Sequence, residues 1–302
     1  MCAFLARGWE KRALDKRHDA GEVIKPLRGI YARREYWEQL SYLKKMLCAI
    51  KAVGVAHRGW TFSHATAAAV YGLSVSYKYL WPVHYTTSRA GGGRSPKYFK
   101  HHRHPLTSED MACIDDIRVT SPVRTVIDCA RTMPLPDALA IADSALRNGL
   151  LEKVDLKRGL AAFKGMRGIR NAREVVALAD PRPESGGESI LRGILYELGI
   201  PMPELQVEIP DPEHPGKFYR VDYLFTIEGA APIALELDGF QKYEDPKLTG
   251  GKTITQVLTE ERQREAAITS HGIRIARISY KQALDRDLLL RRLKIYGIEP
   301  AR

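Results

Sequence analysis

Two neighbouring segments of the sequence indicate the fold most clearly: Tyr219-Arg-Val-Asp-Tyr-Leu-Phe225 and, after a short turn, Ala231-Pro-Ile-Ala-Leu-Glu-Leu-Asp-Gly-Phe-Gln-Lys-Tyr243. Both pieces alternate between apolar and polar residues, which predicts two strands. In the second strand, Glu236 and Asp238 fall on one face, about 7 Å apart at ~3.3 Å per residue. If the strands pair as a hairpin, Asp222 of the first strand approaches the same place.

Carboxylates that lie this close repel one another unless a cation or a shared proton compensates for their charge. Carboxylate oxygens are ligands that suit Mg²⁺ or Mn²⁺. The preceding helix, about 184–198, carries its aliphatic residues on one face, and that face extends back to Glu188. An inward carboxylate needs a partner, which is either the same metal site or a salt bridge with Arg192, four residues later.

The elements after residue 180 follow the order helix, three strands, helix, strand and helix, which predicts an α/β sandwich. The stretch 180–187 is rich in Pro and Gly and is the best candidate linker. We therefore predict a winged-helix-like segment over 1–34, a mostly helical middle domain with a small sheet over 35–180, and an α/β domain over 181–302. A basic helix, a Gly turn and a strand are typical of a recognition helix and wing, although a plain helical cap fits them equally well.

The formal net charge of +11 over 302 residues favours a polyanionic partner, with DNA as the first candidate and a merely basic protein as the alternative. The segment 85–108 predicts a basic hairpin loop that contacts phosphates, or a solvated basic loop. Its glycine run lacks the ending of a phosphate-binding P-loop, and metal binding by its histidines is not expected, since no second ligand cluster is near in sequence. The candidate DNA-binding residues are Lys11, Arg12, Lys16, Arg17, Arg89, Arg94, Lys97, Lys100 and Arg103.

The cysteines are scattered and form no Cys-x-x-Cys pair, which argues against a zinc ribbon and favours a reducing cytoplasm. No apolar run is long enough to cross a membrane, and the apolar stretch at the N-terminus is too short for a signal peptide. We expect a cytoplasmic protein.

The region 181–285 resembles a Vsr-like endonuclease domain of the PD-(D/E)XK nuclease superfamily. The matching motifs are Glu184-Ser-Gly-Gly-Glu188, Arg220-Val-Asp222, Glu236-Leu-Asp-Gly239 with Lys242-Tyr243, and Glu260-Glu-Arg-Gln-Arg-Glu265. The earlier region is similar to type IV antitoxins of the AbiEi family. Its matching motifs are Leu27-Arg-Gly-Ile-Tyr-Ala32, Ser63-His-Ala-Thr-Ala-Ala, and Thr120-Ser-Pro-Val-Arg-Thr with Asp128.

The resemblance implies a restriction-endonuclease-like core, a mixed sheet flanked by helices, and DNA cleavage with Mg²⁺ or Mn²⁺ held by Glu188, Asp222 and Glu236. Asp238 stands where the superfamily usually has a lysine, so Lys242 or Arg264 would supply the positive charge. The rival hypotheses are an antitoxin-like DNA-binding regulator with an inert nuclease domain, and a scaffold protein. A homodimer and a toxin or defence-system partner are further candidates.

Overall fold

The computed structural model describes residues 4–5, 8–88, 97–238 and 254–301. The fold belongs to the α/β class, as predicted. The chain divides into two compact units, and the second unit is discontinuous in sequence. The first unit comprises Met1–Pro134 and Asn148–Ala177, and the second comprises Leu135–Arg147 and Leu178–Arg302. The predicted domain boundary at residue 180 lies close to the division between Ala177 and Leu178. The segment 135–147, which we had placed in the middle domain, belongs to the second unit.

The first unit begins with a basic helix beside a small three-stranded sheet. Its elements are β1 (Phe4–Leu5), α1 (Gly8–Asp19), β2 (Val23–Leu27) and β3 (Ile30–Arg33), with the strand order β1-β3-β2. The sequence predicted one strand after the basic helix, whereas the structure has two strands, β2 and β3, paired as a hairpin. Gly29 adopts a positive φ of 82° in the turn between them. Leu14, Val23 and Tyr31 form the small core between helix and sheet.

The rest of the first unit is a five-stranded sheet with helices. Its elements are α2 (Arg34–Glu38), α3 (Tyr42–Ala56), β4 (Thr61–Phe62), α4 (His64–Val70), β5 (Val83–Thr87), β6 (Phe99–Arg103), β7 (Met111–Ile114), β8 (Ile117–Thr120), α5 (Pro122–Thr132), α7 (Lys153–Gly159) and α8 (Ile169–Leu178). The strand order is β6-β5-β4-β8-β7. The predicted hairpin over 85–108 is wrong, because β5 and β6 pair in parallel, with Val83 opposite Phe99.

The second unit is a four-stranded mixed sheet with helices. Its elements are α6 (Leu135–Arg147), α9 (Gly186–Glu197), β9 (Glu204–Pro210), β10 (Phe218–Phe225), β11 (Ile233–Asp238), α10 (Ile254–Ser270), β12 (Arg274–Ser279), α11 (Tyr280–Leu284) and α12 (Arg286–Ile295). The strand order is β12-β11-β10-β9. The predicted hairpin is confirmed, since β10 and β11 are antiparallel, while β11 and β12 are parallel.

Two apolar clusters pack on this sheet, and β11 contributes to both. Leu235 joins Leu191 and Leu195 of α9 in one cluster, and Ala234 joins Ile268 of α10 in the other. Because neighbouring side chains of a strand point to opposite faces, Glu236 projects toward the α10 side. In the part of the chain that the structure describes, no helix has the length and apolar character that a membrane crossing requires.

Candidate active site

A row of polar residues crosses the four strands of the second unit at one level. The β9–β10 register places Asp222 level with Gln206, because the pairs on either side of it are in step. The β10–β11 register, continued by one residue, places Asp222 level with Glu236. Glu236 is in turn the pairing partner of Arg277 in β12. We call Gln206, Asp222, Glu236 and Arg277 the polar row.

Glu236 is the buried carboxylate of the polar row, with 8% of its surface exposed. Its Oε1 accepts a hydrogen bond from Arg264 Nη2 of α10 at 2.5 Å, and its Oε2 lies 3.4 Å from Arg277 Nε. Two guanidinium groups therefore compensate for its charge, which makes burial of this carboxylate tolerable. From the sequence we expected Arg264 to supply a positive charge at the site, but its pairing with Glu236 was not predicted.

Acidic groups outnumber the two arginines at this end of the sheet. Burial lowers the pKa of Arg264, but its hydrogen bond to Glu236 and the surrounding negative charges raise that pKa above its ordinary value. The pKa of Arg277 is likewise raised by its acidic neighbours in spite of burial. The acids that act on these two arginines are Asp222, Glu236, Glu261 and Glu265. Within the described residues, these four carboxylates outnumber the two guanidinium groups on which they act.

Asp222 is fixed to the neighbouring strand by its side chain. Its Oδ2 accepts the backbone N–H of Leu237 at 3.0 Å. The regular pairing of β10 with β11 runs from Phe225 to Tyr223, so this contact continues the link between the strands where that pairing ends. The carboxylate is therefore held beside β11, at the level of Glu236.

Glu188 lies in the first turn of α9 and is 8% exposed. Its backbone N–H donates to the Oγ of the N-cap residue Ser185 at 3.1 Å, and its carboxylate accepts from Ser185 Oγ and from Glu184 N, both at 2.7 Å. Gln206 Nε2 donates to the same carboxylate at 2.9 Å. Glu188 therefore caps its own helix and reaches the polar row through Gln206.

The salt bridge that the spacing offered between Glu188 and Arg192 is replaced by another pair, since Arg192 Nη2 lies 2.6 Å from Asp143 Oδ2. Asp238 is exposed at the end of β11, level with Ser279 of β12. Lys242 falls outside the described residues.

Among the described residues, no group with all its ligand atoms within 4.8 Å of one another is formed by Glu188, Asp222 and Glu236. The structure thus brings Asp222 and Glu236 to one level of the sheet. Glu188 lies outside this row and is hydrogen-bonded to one of its members, Gln206.

The basic residues predicted to bind DNA lie on two elements of the first unit. On α1, Lys11 Nζ pairs with Asp15 at 3.2 Å and Arg17 Nε pairs with Glu22 at 2.7 Å. The other two cations of this helix are exposed: Arg12 and Lys16. The cations on and just before β6 are also exposed: Lys97, Lys100 and Arg103. Two further candidates, Arg89 and Arg94, lie outside the described ranges.

Sequence reasoning missed a group of three histidines in the first unit. His64, His84 and His102 place their ring nitrogens within 4.8 Å of one another. His102 belongs to the run that we expected to bind no metal for want of a second cluster nearby in sequence. Its neighbours come instead from the start of α4 and from β5, so only the tertiary fold brings the three together.

No protein-family model matches the chain. A Mycobacterium tuberculosis protein of strain H37Rv, "Uncharacterized protein Rv2248", is 39% identical over 104 residues, which is 34% of this chain and 38% of that protein. "Uncharacterized protein MT2308" of strain CDC 1551 gives the same figures. The chain thus spans 38% of the length of these curated relatives.

Among solved structures, the "Crystal structure of RV2827C protein from Mycobacterium tuberculosis" aligns with a TM-score of 0.38 and 13% identity, over 64% of this chain and 76% of that one.

Proposed function

We propose that the chain binds DNA and hydrolyses phosphodiester bonds at the polar row of its second unit. The observation that carries this proposal is the pairing of two acids, Asp222 and Glu236, at one level of neighbouring strands, with Arg264 and Arg277 beside them. Carboxylates and cations in one place are what a phosphodiesterase needs to bind a phosphate and to balance its charge.

The donor set fits a divalent cation such as Mg²⁺ or Mn²⁺. Such an ion is commonly held by one or two carboxylates together with substrate phosphate and water, so Asp222 and Glu236 suffice as protein ligands. The acids around Arg264 and Arg277 favour a cation there. In the described part of the chain each Glu236 oxygen has one arginine partner, which leaves it a second lone pair. When bound, the ion would polarise the phosphate and lower the pKa of a bound water.

The remaining residues have separate roles in this proposal. Arg264 and Arg277 bind the non-bridging phosphate oxygens and stabilise the charge that develops there. Glu188 orients Gln206, and through it the edge of the polar row, as a positioning residue. Asp238 stays an exposed acid near the phosphate path, and Lys242 stays a candidate for the extra positive charge. Lys11, Arg12, Lys16 and Arg17 with the β6 cations supply sequence-independent contacts to the DNA backbone.

The ion pairs of Glu236 favour a second candidate function, a DNA-binding regulator whose nuclease-like unit does not cut. In that case Arg264 and Arg277 are permanent partners of Glu236, and no divalent ion enters. This candidate predicts DNA binding that is insensitive to EDTA and no cleavage in Mn²⁺. A cytoplasmic location, a homodimer, and a toxin or defence-system partner remain proposals that accompany either function.

One comparison separates the two functions. Plasmid, linear and single-stranded DNA are incubated with wild type, Glu236→Gln and Asp222→Asn, with and without Mn²⁺ or Mg²⁺. Nuclease function predicts metal-dependent cleavage that each variant lowers at least about 100-fold, since each removes a carboxylate ligand of the proposed divalent ion. Binding of DNA, measured by fluorescence anisotropy, is expected to survive in both variants.

Glu208→Gln is the matched control, because Glu208 is an exposed acid of the same sheet and lies outside the polar row. Its cleavage rate is expected to equal that of wild type. Equal cleavage by Glu236→Gln and wild type at matched purity would rule out the proposed site. Binding without cleavage in wild type would establish the regulator instead.

A further inference from the structure

Three histidines from different elements of the first unit form a compact group. His64 opens α4, His84 lies in β5, and His102 lies in β6. His84 Nδ1 and His102 Nε2 are 3.2 Å apart, and the ring nitrogens of all three lie within 4.8 Å of one another. His64 and His84 are buried, with 4% and 8% of their surfaces exposed, while His102 is half-buried.

Burial keeps these imidazoles neutral. It lowers the pKa of His84 to about 3 and that of His102 to about 4, and it lowers the pKa of His64 well below its ordinary value. The neutral ring is the form that offers a lone pair to a metal ion. The charged groups that act on the cluster are Lys100, Arg124 and Arg131. Arg124 and Arg131 are both paired with Asp128, at 2.8 and 3.1 Å. The negative charge of Asp128 reduces the repulsion between these two arginines and a bound cation.

Hydrogen bonds around the cluster orient His64. Its Nδ1 lies 3.0 Å from Ser63 Oγ, and Thr86 Oγ1 donates to the same oxygen at 2.8 Å. With its hydrogen on Nδ1, His64 donates to Ser63 and presents Nε2 to the cluster, which is the arrangement that metal-binding histidines show. His64 also adopts a positive φ of 52°, which is strained for a residue with a Cβ, and such strain collects at functional sites.

We propose that His64, His84 and His102 bind a first-row transition-metal dication, of which Zn²⁺ is the representative, in the first unit of the chain. Three imidazoles suit Zn²⁺, Co²⁺, Ni²⁺ or Cu²⁺, whereas Mg²⁺ and Mn²⁺ prefer oxygen ligands. This site is therefore chemically distinct from the polar row. Three protein ligands leave a coordination position open for water or an anion.

The present geometry needs a small contraction to accept the ion. Zinc–nitrogen distances of 2.0–2.1 Å in a tetrahedral site place two ligand nitrogens about 3.4 Å apart. His84 and His102 already meet this spacing. When the ion binds, the ring that holds the hydrogen between the facing nitrogens changes tautomer, so that its hydrogen moves to its other nitrogen and both facing nitrogens offer a lone pair. His64 now stacks on His102, with ring centroids 3.6 Å apart, so its ring turns out of the stack when the ion binds.

The test uses the full chain, stripped with EDTA and dialysed. Zn²⁺ binding is measured by calorimetry, and Co²⁺ is added separately because nitrogen ligands give it strong visible d–d bands. We expect one equivalent of Zn²⁺ in wild type and at least ten-fold weaker binding in His84→Gln and His102→Gln. His104→Gln is the matched control, since His104 lies two residues from His102 and outside the cluster, and it should bind as wild type does.

His102 is half-buried, so its replacement tests the ligand even if His84→Gln fails to fold, and circular dichroism checks each variant. The Co²⁺ spectrum of wild type reports the ligand atoms without any substitution. Failure of wild type to bind either ion overturns the proposal. Equal Zn²⁺ affinity in folded His102→Gln and wild type overturns it as well.

Discussion

At the residue scale, the second unit depends on an ion pair that is removed from water. Asp143 of α6 and Arg192 of α9 are in contact at 2.6 Å, and their side chains are 0% and 4% exposed. Arg192 also donates to the carbonyl of Leu178 at 2.8 Å, but its Nε has no hydrogen-bond partner within the described part of the chain. A pair of this kind contributes little net stability, yet loss of one partner leaves a buried charge alone.

Asp143→Ala is therefore expected to destabilise the protein by about 3–5 kcal/mol, because Arg192 would keep its charge in an apolar surrounding. Urea unfolding followed by circular dichroism measures the change in the free energy of unfolding. The double variant Asp143→Val with Arg192→Met should recover most of that loss, since it removes both charges and stays close to the combined volume of the pair. A loss below about 1 kcal/mol in Asp143→Ala would contradict this view of the pair.

Single-residue predictions from the sequence succeeded where the partner is local. The spacing of four residues between Arg124 and Asp128 predicts a pair across one helical turn, and the structure has this pair at 2.8 Å. The same spacing failed for Glu188 and Arg192, because Asp143 competes for the guanidinium group from a helix that sequence spacing cannot place nearby. The pairing of Arg264 with Glu236 was missed for the same reason.

At the scale of elements, α6 and α9 approach one another at a glycine. A Cβ built on Gly193 would lie 2.6 Å from Pro136 Cα and 3.0 Å from Pro136 Cβ. Both atoms belong to rigid parts of α6, so no flexible side-chain end can move aside. The missing Cβ is what allows this close helix contact.

Gly193→Ala is expected to destabilise the protein by about 1–3 kcal/mol, the usual result of overpacking. The opposite sign would follow from helix propensity alone, which favours Ala over Gly by about 1 kcal/mol. Thermal unfolding measures which effect is larger. Gly59→Ala serves as the control, since a Cβ at Gly59 meets no atom within 4 Å and its effect should be small. A stabilised Gly193→Ala would show that the helices separate without cost.

Elements whose pattern is local were predictable, and pairings across long distances were not. The alternation around Asp222 and Glu236 predicted the β10–β11 hairpin, because a short turn leaves neighbouring strands little choice but to pair. The pairing of β5 with β6 is parallel, and the alternation of residues within either strand does not report the direction of its partner.

At the scale of the whole molecule, the charge of +11 predicts that the proposed binding of DNA weakens as the salt concentration rises. Replacement of Lys97, Lys100 and Arg103 by Gln should reduce the slope of log K against log salt by up to about 2.7, at roughly 0.9 per phosphate contact. Fluorescence anisotropy with a labelled duplex over a salt series measures the slope.

The matched control replaces three other exposed cations by Gln and removes the same charge: Lys157, Arg158 and Lys164. It is expected to leave the slope near that of wild type. Equal slopes for the two triple variants would show that total charge, and not the β6 surface, determines binding.

For the molecule as a whole, the candidate site was partly accessible from the sequence. The acids of the polar row stand in two neighbouring strands, so alternation alone placed them together. The histidine cluster draws on residues 64, 84 and 102, which share no short motif. Such a group can be identified only from the tertiary structure, in which the start of α4 lies beside the parallel strands β5 and β6.

The discontinuity of the second unit affects how the protein can be made and cut. The ribosome releases α6 well before α9, so the apolar surface of α6 waits for a partner while residues 148–185 are synthesised. A fragment that starts at residue 178 would lack α6 altogether and would expose the side of α9 that holds Gly193 and Arg192. Expression of the second unit on its own should therefore begin no later than residue 135, even though the linker in the sequence suggests a start near 180.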